Sequence, residues 1–463
     1  MATVLPIPIW RRALTSGISQ VALTMLAANA ARIISSVVLT RILSPDDYGV
    51  VGVTSTIVMI MFMVSDVGFG VYIVQHAQGD DPRRLDAIWT VRLLRSLGLT
   101  ALLAAAAWPL STLLQKPDLA PVIAATSLQF LLEGCSSLAP LTAVRKQKLG
   151  RLSTLDITAS LSQTAFGILL AFVFRNFWAI VIANLLGATL RVVLSYVLFG
   201  KARRKLLFDP KEARALWRFG RTIAGTQTIQ VFLGNIDRLV LFRVFPLNVF
   251  GLYTLASNLA GAPAMFTSIY PNRVLLPAFA KAHRETPECL AREYYRSRRL
   301  TMLAYMAAMG GFIGMAPAIV NLLYDPRYEG AGTYLRILAI APALSLNNYA
   351  AREALIVVGR MSSLLIANLV RLLWLLPAGL IGFLAFGPIG LVVAVGLTEV
   401  PVLIYSWYAL SASKLFRLNE ELLMISAIIL GVFLGIIFND IYQFLLIDWH
   451  NLFIKSKSLL KYR

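Results

Sequence analysis

The sequence predicts an all-α, polytopic membrane protein with two six-helix lobes in parallel repeat and one or two further helices at the C-terminus, giving 12–14 spans. Its composition and its hydropathy both support a membrane location. The 463 residues are 58% hydrophobic and only 14% charged, with a mean hydropathy of +0.72. A soluble domain is about a quarter charged, so this chain lacks the polar residues needed to cover its own surface.

The apolar residues fall into runs of about 20, the length that crosses a hydrocarbon core of ~30 Å. Twelve such runs are present, six in each half: Ile18–Thr40, Val51–Val74, Ile88–Leu113, Ala120–Ala143, Leu155–Phe174, Phe177–Leu198, Ile223–Phe242, Leu252–Tyr270, Leu300–Leu323, Tyr334–Val357, Leu364–Phe386 and Ile389–Leu410. Leu422–Phe438 is a thirteenth candidate, and Ile441–Phe453 is short for a fourteenth. The sequence leaves open whether the C-terminus crosses once or twice.

The spacing of these runs predicts four regions. Residues 1–200 form an N-terminal six-helix lobe, and residues 222–412 form a C-terminal six-helix lobe. Residues 201–221 are a basic cytoplasmic linker, because the widest interior break between apolar runs lies there. Residues 413–463 hold the extra span or spans and a basic tail. A second long basic segment, 273–299, is predicted to be a loop between the eighth and ninth spans.

A short sequence occurs twice and indicates that the two halves are related. Residues 41–49 and 243–251 share an Arg, a turn that contains Pro, and a final aromatic-Gly pair, at an offset of 202 residues. A second pair of similar segments, 150–155 and 359–364, follows in the same order. Each half has an even number of predicted spans, so the repeat axis runs along the membrane normal. Duplicated halves of this kind are usual in transporters, with the substrate path between them.

The distribution of positive charge predicts the orientation. The net charge is +20, and the segments on the side of the N-terminus carry 27 Lys and Arg residues, counting Arg352 at a span end. The opposite side carries five: Arg41, Lys116, Arg175, Arg243 and Arg327. The positive-inside rule then places the N-terminus in the cytoplasm. The basic loops also suit contacts with anionic lipid headgroups, and no nucleic-acid role is expected.

Ionisable residues inside the spans are the strongest site candidates, since each costs roughly 2.5–3.5 kcal/mol at a helix centre. The arginines left inside spans are Arg32, Arg92, Arg95, Arg191, Arg238, Arg336 and Arg371. The acids within or at the edges of spans are Asp66, Glu133, Asp156, Asp237, Glu353 and Glu399. Polar residues at helical spacing in an apolar helix face a bundle interior or a water-filled cavity. On that basis the predicted substrate-binding residues are Asn29, Arg32, Arg191, Asp237, Asn368 and Arg371.

Two interpretations of these arginines stay open at this point. In one, surplus Arg side chains in a cavity hold an anionic, phosphate-bearing substrate, because the guanidinium fork stays charged and matches phosphate oxygens. In the other, each Arg pairs with an acid or with helix carbonyls and only determines packing. Enzyme signals are absent from the sequence. The three histidines are isolated, and neither a Walker A sequence nor a nucleophile-base arrangement is present. We therefore expect no enzyme activity, no cofactor and no metal.

Several segments resemble one family. Residues 41–49 are similar to the "R-L-(G/S)-P-(E/D)-(D/E)-(Y/F)-G" turn of bacterial polysaccharide-transport, Wzx-like flippases of the multidrug/oligosaccharidyl-lipid/polysaccharide exporter superfamily. Residues 66–70, 235–241, 251–256 and 316–331 resemble further motifs of that family. We expect the residues of these turns and of the internal repeat to be structural: Arg41, Pro45, Gly49, Asp66, Arg243 and Gly251.

The resemblance implies a function. Members of that family translocate undecaprenyl-pyrophosphate-linked oligosaccharide units across the bacterial inner membrane by alternating access, for exopolysaccharide, capsule or lipopolysaccharide O-antigen synthesis. It also implies a lipid-linked oligosaccharide as ligand, and polymerase and other polysaccharide-assembly proteins as candidate partners. The alternative is a cation-coupled, drug-type exporter of small molecules with the same fold. A third possibility is a membrane-embedded assembly factor that transports nothing.

Overall fold

The computed structural model describes residues 17–76, 78–146, 149–200 and 204–460, and all regular structure in these ranges is helical. The prediction of an all-α protein is confirmed. The α-helices of the first half are α1 (Gly17–Ile42), α2 (Pro45–Val64), α3 (Phe69–Gln75), α4 (Pro82–Leu113), α5 (Ala120–Cys135), α6 (Ala139–Arg145), α7 (Leu149–Phe174), α8 (Trp178–Val197) and α9 (Pro210–Val244).

The second half is divided into more and shorter helices. They are α10 (Leu247–Ala260), α11 (Ala264–Tyr270), α12 (Leu276–Glu285), α13 (Leu290–Arg296), α14 (Arg299–Gly314), α15 (Ala316–Leu323), α16 (Ala331–Leu338), α17 (Ile340–Val357), α18 (Ser362–Phe386), α19 (Pro388–Gly396), α20 (Glu399–Ser411) and α21 (Leu418–Leu460). The segment 273–299 is therefore mostly helical, and the prediction of a loop there is wrong.

The chain separates into two compact units, Met1–Asn248 and Val249–Arg463. Helix α9, which hydropathy assigns to the second lobe, packs against α2 and α4 and belongs to the first unit. The division by packing thus falls after Asn248, while the division of the repeat into six and six spans stays a prediction.

Many of the described helices suit a membrane. Seven are long and apolar enough to cross one, and the number rises to nine if each of two bent helix pairs counts as one span. Other predicted spans are broken, as where Tyr334–Val357 divides between α16 and α17. A multi-span membrane protein is therefore confirmed, and the total of 12–14 spans stays a prediction.

Helix α18 shows why these helices need lipid around them. Leu373, Leu380, Leu384 and Phe386 are between 60% and 78% exposed on its surface. Water contact with so much apolar area is unfavourable by about 25 cal/mol per Å². Hydrocarbon contact removes that penalty, so the surface of this helix is adapted to the bilayer.

The first repeated turn has a clear structural role. Ser44 and Asp47 form a reciprocal capping box at the start of α2, with Pro45 in its first turn. A Cβ atom at Gly49 would overlap the carbonyl oxygen of Leu247, so the chain needs glycine where these two backbones meet. These contacts support the expectation that Pro45 and Gly49 are structural residues.

The two repeated arginines lie in equivalent places. Arg41 is in the last turn of α1, and Arg243 is in the last turn of α9. A positive charge there offsets the partial negative charge of a helix C-terminus. Arg243 also donates to the Gln115 side-chain oxygen at 2.7 Å, and Gly251 is buried in α10. Both arginines can therefore stabilise helix ends.

The C-terminal region forms one continuous helix, α21, of 43 residues. The two candidate segments, 422–438 and 441–453, lie on this one helix, which favours one crossing over two, the alternatives that the sequence leaves open. Residues 418–444 fit a single crossing. The polar Asn439 between the segments makes no turn, because its side chain accepts a hydrogen bond from the Ala318 amide at 3.1 Å. It thereby caps the start of α15.

Glycines hold α21 close to α14. A Cβ atom at Gly310 would overlap the Ile428 carbonyl, and one at Gly431 would overlap the Ala307 carbonyl. Close backbone approach through small residues is the usual way that helices associate in a membrane, where hydrophobic burial gives no driving force. The second unit therefore includes the C-terminal helix as part of its core.

Candidate functional site

Described residues of the first unit line a cavity of about 440 Å³ between helices that are long and apolar enough to span a membrane, and several of its lining residues are charged. Its lining includes Arg92, Glu133, Ser136, Ser137 and Arg191. Charged residues at this depth are unfavourable unless they pair or face water. A cavity that gathers several of them is therefore the best candidate site in this unit.

A broken span forms one wall of the cavity. Helix α5 ends at Cys135, α6 begins at Ala139, and the two are bent by 55°. The freed backbone groups find partners on α8. The Tyr196 hydroxyl donates to the Cys135 carbonyl at 2.8 Å, and the Ser137 amide donates to Ser195 Oγ at 3.0 Å. Irregular backbone at membrane depth is tolerated where it is buried in protein or lines a cavity, and here it does both.

Close packing of α4 and α5 brings the charges of the cavity together. Gly134 lies so near Ser96 that a Cβ atom there would overlap the serine side chain. Arg92, one turn away on α4, then reaches across to α5 and to the break that follows it. Its Nη2 donates to Ser136 Oγ at 2.8 Å and to Glu133 Oε1 at 3.3 Å. The Arg92 side chain is 10% exposed and that of Glu133 is 42% exposed.

A second, adjoining cavity of about 280 Å³ shares Arg92 and Glu133 with the first. It is also lined by Arg95 and Asp66. Arg95 donates to Ser65 Oγ at 2.8 Å, at the break between α2 and α3. The bent pair α5–α6 and the short interruption between α2 and α3 therefore meet around one pair of charges, and interrupted helices of this kind often border substrate sites in transporters.

Asp66 stabilises the second of these breaks. Its Oδ1 accepts a hydrogen bond from the Gly68 amide at 2.9 Å. Gly68 has a φ of +69°, a left-handed conformation that favours glycine. The contact supports the expected structural role of Asp66, while the same residue also lines the smaller cavity.

Arg191 is the predicted site residue that the cavity contains. Its Nη2 lies 2.7 Å from Asp156 Oδ1, and its side chain is 55% exposed. About 10 Å further along α8, Asn184 Oδ1 accepts from Gln163 Nε2 of α7 at 2.7 Å. An exposed ion pair and an exposed amide pair on membrane-spanning helices indicate a face in contact with water.

Arg32 and Asn29 are joined as their spacing on α1 predicts. Arg32 is exposed, and its Nη2 donates to Asn29 Oδ1 at 2.5 Å. Helix α1 packs on α7, where a Cβ atom at Gly167 would lie within 4.0 Å of Ser35. Arg32 does not line either of the two cavities described above. Asp237 lies in α9 of the same unit and is 8% exposed.

Arg371 and Asn368 lie in the second unit and have a different environment. Arg371 makes two parallel bonds to Glu399, at 2.9 and 3.1 Å, and a third to Asn368 Oδ1 at 2.8 Å. Glu399 also accepts from Asn348 Nδ2 at 2.7 Å. The charge of Arg371 is thus paired, which favours the packing interpretation for this residue. A substrate-binding role for Arg371 and Asn368 stays a prediction.

Arg92 and Glu133 lie inside predicted spans but are not among the predicted substrate-binding residues. A polar stripe is a pattern within one helix, whereas Arg92 lies on α4 and its partner Glu133 lies on α5. The signal that could have found the site is the pair Ser136 and Ser137, which interrupts an apolar run directly after Glu133. Within the described ranges, no group of three His, Cys, Asp or Glu side chains could hold a metal ion.

Comparison with known sequences identifies relatives. A family model described as polysaccharide biosynthesis protein matches residues 38–370. Lipopolysaccharide biosynthesis protein WzxC of Escherichia coli K12 is 24% identical over 387 residues, which cover 82% of this chain and 77% of that protein. Amylovoran biosynthesis protein AmsL of Erwinia amylovora is 27% identical over 272 residues, 58% of this chain and 69% of AmsL.

A third relative is succinoglycan biosynthesis transport protein ExoT of Rhizobium meliloti, 23% identical over 66% of this chain and 62% of ExoT. Among solved structures, the lipid II flippase MurJ in an inward closed conformation has a TM-score of 0.69 at 13% identity. The aligned region covers 94% of this chain and 99% of MurJ. An inward-facing multidrug transporter of the MATE family has a TM-score of 0.64 at 14% identity, over 87% and 99% of the two chains. These structures share the fold, and the matched sequence shows that the chain belongs to the polysaccharide biosynthesis protein family.

Proposed function

We propose that this protein is a flippase that moves undecaprenyl-pyrophosphate-linked oligosaccharide units across the bacterial inner membrane by alternating access. The units would serve the synthesis of exopolysaccharide, capsule or O-antigen. Membership of a polysaccharide biosynthesis family and the transporter fold support this proposal. The single observation that carries it furthest is the arginine-containing cavity beside the bent helix pair α5–α6 of the first unit.

The chemistry of the cavity suits the charged part of such a substrate. A pyrophosphate presents several anionic oxygens, and arginine binds them through paired N–H donors while remaining charged. Arg92 and Arg191 line the same cavity, and Ser136 and Ser137 supply hydroxyl groups beside them. We assign the pyrophosphate to this cavity.

The remaining parts of the substrate need other surfaces. Sugar hydroxyls both donate and accept hydrogen bonds, as amide side chains do, and the exposed pair of Gln163 and Asn184 offers both groups. Arg32 and Asn29 add an exposed polar pair on the neighbouring helix α1. The apolar outer faces suit the polyprenyl chain. In this proposal the N-terminus is cytoplasmic, Asp237 contacts the transport path, and polymerase acts on the exported unit.

The alternative is a cation-coupled exporter of small molecules, which the shared fold with a multidrug transporter keeps open. Such exporters bind cationic drugs, for which surplus cavity carboxylates would be suitable. The linings of the two first-unit cavities contain three arginines, Arg92, Arg95 and Arg191, against two carboxylates, Glu133 and Asp66. We therefore favour an anionic substrate.

Deletion and complementation of the gene in its source bacterium test the proposal. A flippase mutant should lose surface polysaccharide and accumulate lipid-linked oligosaccharide on the cytoplasmic side of the membrane. A plasmid copy of the gene should restore export. Normal surface polysaccharide in the deletion strain, combined with new sensitivity to cationic drugs, would support the alternative instead.

A further inference from the structure

The ion pair between Arg92 and Glu133 has a long contact distance for a pair that joins two apolar helices. Its Nη2 to Oε1 distance is 3.3 Å, and within the described residues this is the one contact between the two side chains. A well-formed pair of this type has two parallel bonds at about 2.7–2.9 Å. The second bond that Arg92 Nη2 makes, to Ser136 Oγ at 2.8 Å, is shorter than the ionic one.

The two partners also differ in exposure. Arg92 is held against the cavity wall and is 10% exposed, while Glu133 is 42% exposed and lines both cavities. A mostly buried guanidinium without a counter-ion would be costly, so the empty cavity needs an anion near Arg92. Glu133 supplies that anion, and its exposure allows it to move into water when another anion arrives.

We propose that Glu133 is an internal counter-anion that occupies Arg92 when the cavity is empty and gives it up to the diphosphate of the incoming substrate. The inference rests on the proposed function, since it concerns the same cavity. Glu133 has two effects in this scheme. It keeps Arg92 paired between transport cycles, and it competes with the bound diphosphate, which weakens binding and speeds release.

The other charged residues near this pair do not take the place of Glu133. Arg191 lines the larger cavity but is already paired with Asp156 at 2.7 Å. Arg95 and Asp66 line the smaller cavity and are engaged with Ser65 and Gly68 respectively. Of the two ion pairs at the larger cavity, Arg92–Glu133 has the longer contact, 3.3 Å against 2.7 Å for Arg191–Asp156, so Glu133 is the paired carboxylate that a diphosphate can displace more easily.

Binding of undecaprenyl pyrophosphate without sugar to the purified, full-length protein tests the inference. Glu133→Gln keeps the size of the side chain and an oxygen that can accept from Arg92, but it removes the charge. We expect its Kd for this probe to fall by roughly 3- to 10-fold, which corresponds to about 0.7–1.4 kcal/mol. Export of polysaccharide per folded molecule should fall as well, because release of the substrate is slower.

Glu212→Gln is the control for charge; Glu212 is more buried than Glu133, 11% against 42% exposed, and also accepts from the Tyr72 hydroxyl at 2.9 Å, so binding is compared per folded molecule. Glu212 also pairs with an arginine of the first unit, Arg84, through one contact at 3.1 Å, but it lines neither cavity. The variant removes the same charge, so we expect the Kd for the probe to stay at the wild-type value. An equal gain in affinity would show a general effect of net charge and would overturn the inference.

The outcomes separate the inference from the proposed function. Unchanged or weaker binding by Glu133→Gln, with export restored by the wild-type gene, would overturn the role of Glu133 and leave the flippase assignment standing. Tighter binding by Glu133→Gln without any export by the wild-type protein would support the anion site and contradict the flippase. Failure of both forms to bind the probe would overturn the inference.

Discussion

Two arginine–glutamate pairs, one in each unit, differ in their contact distances and in the exposure of the carboxylate. Arg92 and Glu133 make one contact at 3.3 Å beside a cavity, and the carboxylate is 42% exposed. Arg371 and Glu399 make two contacts at 2.9 and 3.1 Å, and the carboxylate is 12% exposed. Arg92 can exchange Glu133 for another anion, whereas Arg371 and Glu399 are held to each other by two bonds. The residue types alone do not distinguish a binding arginine from a packing one.

A third arginine–glutamate pair, in the second unit, is completely buried. Arg298 and Glu421 are both 0% exposed, and their charges are hydrogen-bonded to each other. Asn347 donates to Glu421 at 2.9 Å, and the Arg298 guanidinium lies 3.9 Å from the Tyr294 ring centre. This group joins α21 to α17 and to the region between α13 and α14, so it contributes to the core of the second unit.

The largest expected effect is that of Arg298→Ala. Loss of the guanidinium would leave Glu421 fully buried without its counter-ion, which costs about 3–5 kcal/mol. We expect the protein to disappear from the membrane fraction, as measured by immunoblot at 37 °C. A normal amount of folded protein would contradict the stabilising role that we give to this buried pair.

Arg371→Ala should have the next largest effect on stability. Glu399 would keep its bond to Asn348 but lose both ionic contacts. We expect the midpoint of thermal unfolding in detergent to fall and the amount of protein to decrease by several-fold. Export per folded molecule should stay near the wild-type level. Loss of export at a normal amount of protein would instead support the substrate-binding role that sequence analysis gave this residue.

Arg92→Ala should change stability least among these three variants, because Glu133 is exposed enough to be hydrated. We expect a cost of about 1 kcal/mol or less. Export should nevertheless be abolished, since the diphosphate loses its main partner. Arg92→Lys should retain part of the export, because lysine still offers a positive charge but not the paired donors. Full export by Arg92→Ala would remove this residue from the site.

A smaller effect is expected at the amide pair. Gln163→Ala should reduce export by only a few-fold, because each hydrogen bond to a sugar hydroxyl contributes about 0.5–1.5 kcal/mol. Thr189→Ala, at an exposed hydroxyl on α8 that bonds its own helix backbone, serves as the control and should leave export unchanged. Equal losses from both variants would indicate a general effect on the helix pair.

Much of the fold could be predicted from hydropathy, but its breaks could not. The window that predicts a span at 120–143 averages over Ser136 and Ser137, where the helix bends by 55°. In the same way, hydropathy left open whether residues 422–453 cross once or twice, and they lie on the single helix α21, where Asn439 bonds to the Ala318 amide. Local composition contains no information about such contacts.

The site was predicted only in part, for a related reason. Arg191 and Arg32 were selected because neither can easily reach the end of its predicted span, and Arg32 also shares a polar stripe; of the two, Arg191 lines the larger cavity. Arg92 depends on a partner from another helix, which periodicity within one helix does not show. Arg298 was assigned to a loop because Arg296 and Arg299 flank it, yet it is the largest fully buried side chain among the described residues.

In our proposal Arg92 holds the diphosphate of a lipid-linked substrate, while Arg371 stabilises the second unit. The decisive measurement is export of polysaccharide by Arg92→Ala and Arg371→Ala in the deletion strain, divided by the amount of folded protein in the membrane. We expect export near zero for Arg92→Ala and near the wild-type value for Arg371→Ala. The reverse pattern would contradict it.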